Sequence, residues 1–402
     1  MSAPLPARPG DRPAAAPRPR PGSALLAALV LLPLAGGPAW AQYRLVWGDV
    51  HGHSRLSDGQ GSVDDYFTYA RDTAHLDFVI LTDHDFGHGP PWQMATNDWR
   101  LIQRKADEYT VAGRFVAMAG YEWTSQPKYW SGWPTDTNGV ASEHLFPGPP
   151  HYYNHKVVYF PGPVPYLFSS KTTAYGTPDL LAAAVRAQQG LIHNAHPDAT
   201  SSGAEQFAYG PSAAAVIVNS EILPDTNRYR GKVYAPRMEQ TLRAFLNGGG
   251  RTGFVGGSDT HDGLPAARTA VLVHELTRAD LFEALRHRRN YAVNRDRIGL
   301  DFRINGLAMG EEVALEGDPR IEVTIQGTDV VDEVVLLRDG APLYVFQPQK
   351  RDVHFTCRDR SFTGPSYYYV RVRQADRDAE GNPAYAWSSP IWVRRTPSAA
   401  AP

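Results

Sequence analysis

Between His51 and His261 the chain carries histidines and carboxylates at spacings that suit metal chemistry. Gly48-Asp49-Val50-His51-Gly52-His53 sets two imidazoles at i and i+2, and extended backbone aims such a pair at one point from the end of a strand. Asp83-His84-Asp85, Glu122, His196, Asp259 and His261 each follow a further apolar run. A solvated loop histidine or a capping aspartate explains any one of these residues taken alone; it does not explain their recurrence where strands end. Imidazole and carboxylate without thiolate suit Zn²⁺, Mn²⁺ or Fe. The set exceeds what one ion can use. Two or three divalent ions sharing a bridging carboxylate fit better, about 3.5 to 4 Å apart as in multinuclear phosphoester sites.

Elements able to position these residues are legible around them. Short runs at 44–48, 78–82, 115–120, 156–160, 190–194, 215–220 and 253–257 are apolar enough to be strands buried on both faces. Helical stretches alternate with them. Ser62 precedes one with Val63, Phe67, Ala70 and Ala74 on one face, Thr177-Pro178 gives an N-cap and an N1 proline, and Gly248 stops a helix over 237–247. Alternation of this kind predicts an α/β fold whose ligands gather at the carboxyl edge of a parallel sheet or barrel. From 124 to 155 the periodicity gives way to a Trp-, Tyr-, Gly- and Pro-rich insertion, too long for an ordinary connection. Its Tyr129, Trp130, Trp133, Tyr152 and Tyr153 are loop packing or a stacking surface for a sugar, base or aryl group.

The motifs His51-x-His53, Ser57-Asp58-Gly59, Thr82-Asp83-His84, Gly120-Tyr121-Glu122, Ala195-His196-Pro197 and Gly257-Ser258-Asp259-Thr260-His261 resemble, in order, those of the PHP (polymerase and histidinol phosphatase) superfamily. Trp47-Gly48-Asp49, Tyr121-Glu122-Trp123-Thr124 and Arg289-Asn290-Tyr291-Ala292 resemble its exported DUF3604-type branch. The resemblance spans Trp47 to about Ala292. It implies a distorted (β/α)7 barrel over 42–295 with a trinuclear centre. His51, His53, Asp259 and Glu122 would hold one ion; Glu122, His196 and His155 a second; Asp58, His84 and His261 a third; Asp83 would orient a ligand imidazole. His151 rivals His155, because an apolar run follows His155 whereas a strand-end ligand should come after its strand, and His193 rivals His196. The implied chemistry is phosphoester hydrolysis by a metal-bridging hydroxide at a di- or trinuclear centre, with His261 or His193 as proton donor and Arg268 as a bidentate phosphate contact or a surface ion pair. A metal-dependent amidohydrolase or esterase acting on a carbonyl substrate, or a non-catalytic metal- or envelope-binding protein, would use the same ligands.

Composition bounds the rest. The chain has 402 residues, 42% hydrophobic and 20% charged, with a formal net charge of -2. That composition indicates about two domains and a globular protein, with no field for gripping nucleic acid. Arg8, Arg12, Arg18 and Arg20, the apolar run from Ala24 to Ala35, and Ala39-Trp40-Ala41 before Gln42 read as a signal peptide over 1–41, directing export to the periplasm or beyond. The run is short of the about 20 residues that cross a bilayer, so no stable membrane anchor is expected. The substrate is then a small-molecule or envelope-derived phosphoester. Cys357 is the single cysteine and is read as a packed apolar residue. From 296 to 396, strand-like runs at 320–325, 333–338, 367–374 and 387–393, separated by turns, predict a β-sandwich, followed by a disordered tail at 397–402.

Overall fold

The computed structural model describes residues 43–85, 94–124, 155–170, 172–197, 207–222 and 235–396. The expected signal peptide, nearly all of the aromatic insertion, His151 and the tail lie outside them. Among the described residues no helix is long and apolar enough to cross a membrane.

The first part alternates strands β1 (Arg44–Asp49), β2 (Phe78–Leu81), β3 (Val116–Trp123), β4 (Lys156–Tyr159), β5 (Leu191–Asn194), β6 (Ile217–Glu221) and β7 (Gly253–Val255) with helices α1 (Val63–Thr68), α2 (Thr96–Tyr109), α3 (Pro178–Ala187), α4 (Pro211–Ala214) and α5 (Ala235–Asn247). Local chemistry accounts for the helices. Ser62 caps α1 in a reciprocal box with Asp65, and the Thr177 side chain caps α3 just before Pro178. On α2, Trp99, Ile102 and Ala106 form the buried face, and Trp99 meets Tyr121 of β3 edge-on at 5.6 Å.

β1, β2 and β3 pair in parallel, as do β5, β6 and β7. The fully parallel arrangement expected from the alternation fails at β4, which is antiparallel to both β3 and β5. Its antiparallel register puts the start of β4 beside the end of β3. At that edge the loop after β7 also bonds the loop after β1. His53 N donates to Thr260 O at 2.8 Å and Asp259 N to His51 O at 3.1 Å.

β8 (Thr269–Val273), α6 (Arg278–Arg286) and β9 (Asn290–Val293) follow; β8 runs antiparallel to β1 and β9 antiparallel to β8. The remaining chain is all strand: β10 (Gly299–Ile304), β11 (Leu307–Ala308), β12 (Glu312–Leu315), β13 (Arg320–Arg338), β14 (Ala341–Phe346), β15 (Lys350–Arg358), β16 (Ser366–Arg377), β17 (Pro383–Ser388) and β18 (Ile391–Arg395). Two expected strands, 320–325 and 333–338, are one strand, β13, with register shifts against β15 and β16 where its middle passes between them. Conversely, the expected strand over 387–393 is split into β17 and β18 at Ser389-Pro390, because proline has no N–H for a ladder.

The two parts share a buried seam. β17 pairs antiparallel with β9, and Leu242, Leu246 and Phe254 pack with Val335, Leu337, Tyr369, Trp387 and Trp392. Period-two alternation in β16 sends Tyr368 into the core of the C-terminal sheet and Tyr367 and Tyr369 into this seam. At its centre the Glu239 carboxylate of α5 accepts from Tyr369 Oη (2.6 Å), Arg371 (3.1 Å) and Trp387 Nε1 (3.1 Å).

Candidate metal centre

Strand ends and the loops beyond them bring the ligand candidates together. Glu122, near the end of β3, is buried at the centre and lies within 3.6 Å of five imidazoles: His155 (2.7 Å), His84 (2.8 Å), His196 (3.0 Å), His51 (3.5 Å) and His53 (3.6 Å). Asp259 Oδ1 stands 3.2 Å from His53 Nε2 and 3.5 Å from His51 Nε2. Asp58 Oδ1 lies 3.3 Å from His261 Nε2 and 3.4 Å from His84 Nε2. Among the described residues, four overlapping groups could each hold an ion: His53, Asp58, His84 and His261; His51, Glu122 and His196; His51, His53 and Asp259; and His84, Glu122 and His155.

The antiparallel course of β4 explains His155. It precedes its strand, yet the start of β4 faces the end of β3, with Lys156 opposite Trp123 and Val157 opposite Glu122. His155 therefore reaches the same edge as the ligands that follow parallel strands. His196 (φ 26°) and Asp259 (φ 48°) both adopt left-handed backbone, which disfavours side chains and is kept where the surroundings over-determine it. The Asp259 N–H is held by His51 O, and the His196 N–H by Glu221 Oε2 at 2.7 Å.

One atom in particular fits the donor set to a divalent ion. His51 Nε2 is buried and has no hydrogen-bond partner, although two carboxylates flank it at 3.5 Å. A buried ring nitrogen without a partner, aimed between carboxylates too distant for good hydrogen bonds, fits a cation placed among them.

Electrostatics reflect the same crowding. Burial would neutralise Glu122, but the charges of His155, His84 and His51 outweigh it and hold the carboxyl well below its usual range. Burial opposes charge on His84 too, yet Glu122 and Asp58 push it up to about 10, while burial drives His155 down to about 4. Exposure is uneven: the side chains of Asp58 and His261 are 39% and 16% accessible, whereas His51 and His53 are sealed. The Asp58 and His261 side is therefore the mouth.

Asp83, His193 and Arg268 have these partners in the structure. Asp83 orients no imidazole directly; it accepts from the backbone N–H and hydroxyl of both Ser54 and Ser57, bracing the loop that carries Asp58, and Ser57 Oγ then stands 3.4 Å from His53 Nδ1. His193 is sealed from solvent and bonded to Glu221 Oε1 at 3.0 Å, so it is not placed to protonate a leaving group. Arg268 donates from its guanidinium to the Asn294 carbonyl.

Glu221, at the end of β6, escaped the sequence reading. Its signal was present, since it is a carboxylate at the carboxyl end of an apolar strand, as Glu122 is. Asp49, inside the first histidine motif, was also left without a role. It accepts from the N–H groups of Ser258, Ala266 and His51 and so ties the loop after β7 to β1.

No family model matches the chain. An uncharacterised protein of Chlamydia pneumoniae is 25% identical over 383 residues, covering 87% of this chain and 57% of its own length. A similarly uncharacterised protein of Chlamydia trachomatis is 24% identical over 381 residues with the same shares. The chain thus spans a little over half the length of the curated relatives it matches. Among solved structures it is similar, at 15% identity and a TM-score of 0.43, to a Bacteroides vulgatus chain described as "a two-domain protein containing predicted PHP-like metal-dependent phosphoesterase", covering 87% of this chain and 96% of that one.

Proposed function

We propose that the chain is an exported, metal-dependent phosphoesterase whose centre holds two or three divalent ions around Glu122, at the carboxyl edge of a distorted barrel formed by β1 to β7. The observation that carries this reading is the single buried carboxylate reaching five imidazoles within 3.6 Å, the arrangement a bridging ligand requires. His51, His53 and Asp259 would hold one ion, His155 and His196 a second with Glu122, and Asp58, His84 and His261 a third. Bound there, such ions supply Lewis-acid activation of water and charge neutralisation on phosphoryl oxygens.

The chain's own residues set the rest. Glu122 spans the cluster with both oxygens: Oε1 towards His51, His155 and His196, Oε2 towards His53 and His84. His261 keeps Nδ1 3.0 Å from the Asp259 carbonyl, which leaves Nε2 for the group shared with Asp58 and makes it a ligand rather than an acid. The accessible Asp58 and His261 face admits a small-molecule or envelope-derived phosphoester.

The test is hydrolysis of p-nitrophenyl and bis-p-nitrophenyl phosphate by protein starting at Gln42, stripped of metal and refilled with Mn²⁺ or Zn²⁺, with Asp259→Asn as control. Metal-dependent turnover lost in the control supports the reading. Ions bound without turnover on either ester, but with turnover on carboxylate esters, would transfer the same centre to carbonyl chemistry.

A further inference from the structure

Glu221 lies fully buried behind the cluster, and three donors converge on it. Its Oε1 stands 2.9 Å from His51 Nδ1 and 3.0 Å from His193 Nε2, and its Oε2 accepts the His196 N–H at 2.7 Å. The surroundings are shaped for it. A Cβ on Gly257 would come within 2.5 Å of Glu221 Oε1 and 2.8 Å of His51 Cβ, so the loop after β7 passes close only because it has no side chain there.

We propose that Glu221 is a positioning residue that sets two ligands at once, fixing the His51 ring with its proton on Nδ1 and holding the His196 backbone in its left-handed turn. Resting on the metal-centre reading above, this assigns a role that no ligand list contains. With the proton on Nδ1, the His51 Nε2 lone pair points among Glu122 and Asp259. With its N–H held, His196 keeps a backbone conformation that its own side chain disfavours, and its Nε2 stays 3.0 Å from Glu122. His193 is the third donor. Its Nδ1 is buried without a partner, so its ring donates through Nε2 to the same Oε1 that faces His51.

The experiment compares Zn²⁺ binding to the full chain and to Glu221→Gln by calorimetry with chelator competition, with circular dichroism and thermal unfolding as checks on the fold. A glutamine keeps the size but has one acceptor oxygen for three donors, and its amide opposes one of them. The expected result is a folded variant in which the Zn²⁺ ions held by His51 and by His196 bind about 10- to 100-fold more weakly, the range usual for loss of an outer-shell partner, while the ion held by Asp58, His84 and His261 is unaffected. Equal affinities for variant and native chain overturn the assignment and leave the metal-centre reading intact. A native chain that binds no Zn²⁺ overturns both. Should the variant not fold, ¹⁵N-histidine NMR of the native chain loaded with Zn²⁺ decides. Protons on His51 Nδ1 and His193 Nε2 support the assignment; a proton on His51 Nε2 overturns it.

Discussion

His155 Nδ1 lies 2.7 Å from Glu122 Oε1, across the antiparallel junction between β3 and β4. Because β4 is the strand that breaks the parallel order, His155 reaches the cluster from the start of its strand. His155→Ala should remove one ion or weaken it by more than the about 10- to 100-fold typical of an outer-shell loss. Metal content after gel filtration, measured by mass spectrometry, checks this; an unchanged metal-to-protein ratio would count against His155 as a ligand.

Gly257→Ala tests how tightly the site is packed. Its new methyl would press on Glu221 and His51, and overpacking of this kind costs about 1 to 3 kcal/mol. Denaturant unfolding should show that loss, with weaker Zn²⁺ binding alongside it. Full stability and full affinity together would mean that the loop yields without disturbing either residue.

Glu239→Ala would leave Tyr369, Arg371 and Trp387 facing an emptied seam. Removing one partner from a buried charged knot costs about 3 kcal/mol or more. Urea unfolding should reveal it, and a change below about 0.5 kcal/mol, the scale of an ordinary surface substitution, would refute the seam's importance.

Acid should weaken the C-terminal sheet through Asp359. Burial pushes this carboxyl up, but hydrogen bonds from Ser361, Tyr368 and Arg338 outweigh burial and hold it below its ordinary 3.8. A carboxylate depressed in the folded state stabilises fully above its unfolded value, and that contribution disappears as pH falls through the folded value. Stability should therefore decline below about pH 4, where the unfolded chain binds the extra proton. Asp359→Asn should be less stable at neutral pH and show a shallower acid decline in chemical denaturation. Parallel curves for the two proteins would exclude Asp359 as a source.

Deleting Asn305 to Pro402 should leave the first part insoluble, because Leu242, Leu246 and Phe254 would lose the aromatic face that covers them. A soluble truncation with native metal affinity would show instead that the first part stands alone.

Much of the centre could be read from residue order, because parallel strands deliver their following loops to one edge, and His51, His84, Glu122 and Asp259 all stand near strand ends. Strand positions were legible for the same reason, short apolar runs being the mark of strands buried on both faces. Direction was not. Nothing in Lys156-Val157-Val158-Tyr159 distinguishes an antiparallel strand from a parallel one, so His155 stayed in rivalry with His151. Glu221 was missed because a lone carboxylate after an apolar run has no histidine beside it, and its partners His51 and His193 lie 170 and 28 residues away. The union of 320–325 with 333–338 was not legible because the residues between them lack an apolar run, although β13 continues through them with a shift of register.

Ser389, at the break between β17 and β18, accepts the Phe254 N–H at 2.8 Å and donates to Asn290 O at 2.6 Å. A strand whose loop carries Asp259 thus completes its bonding only with a residue 135 positions later in the chain. Contacts of such long sequence separation incur their loop-closure entropy before they return any stabilisation, which makes folding slow. The strand that leads to Asp259 is fastened in this way to the last third of the chain as well as to β6.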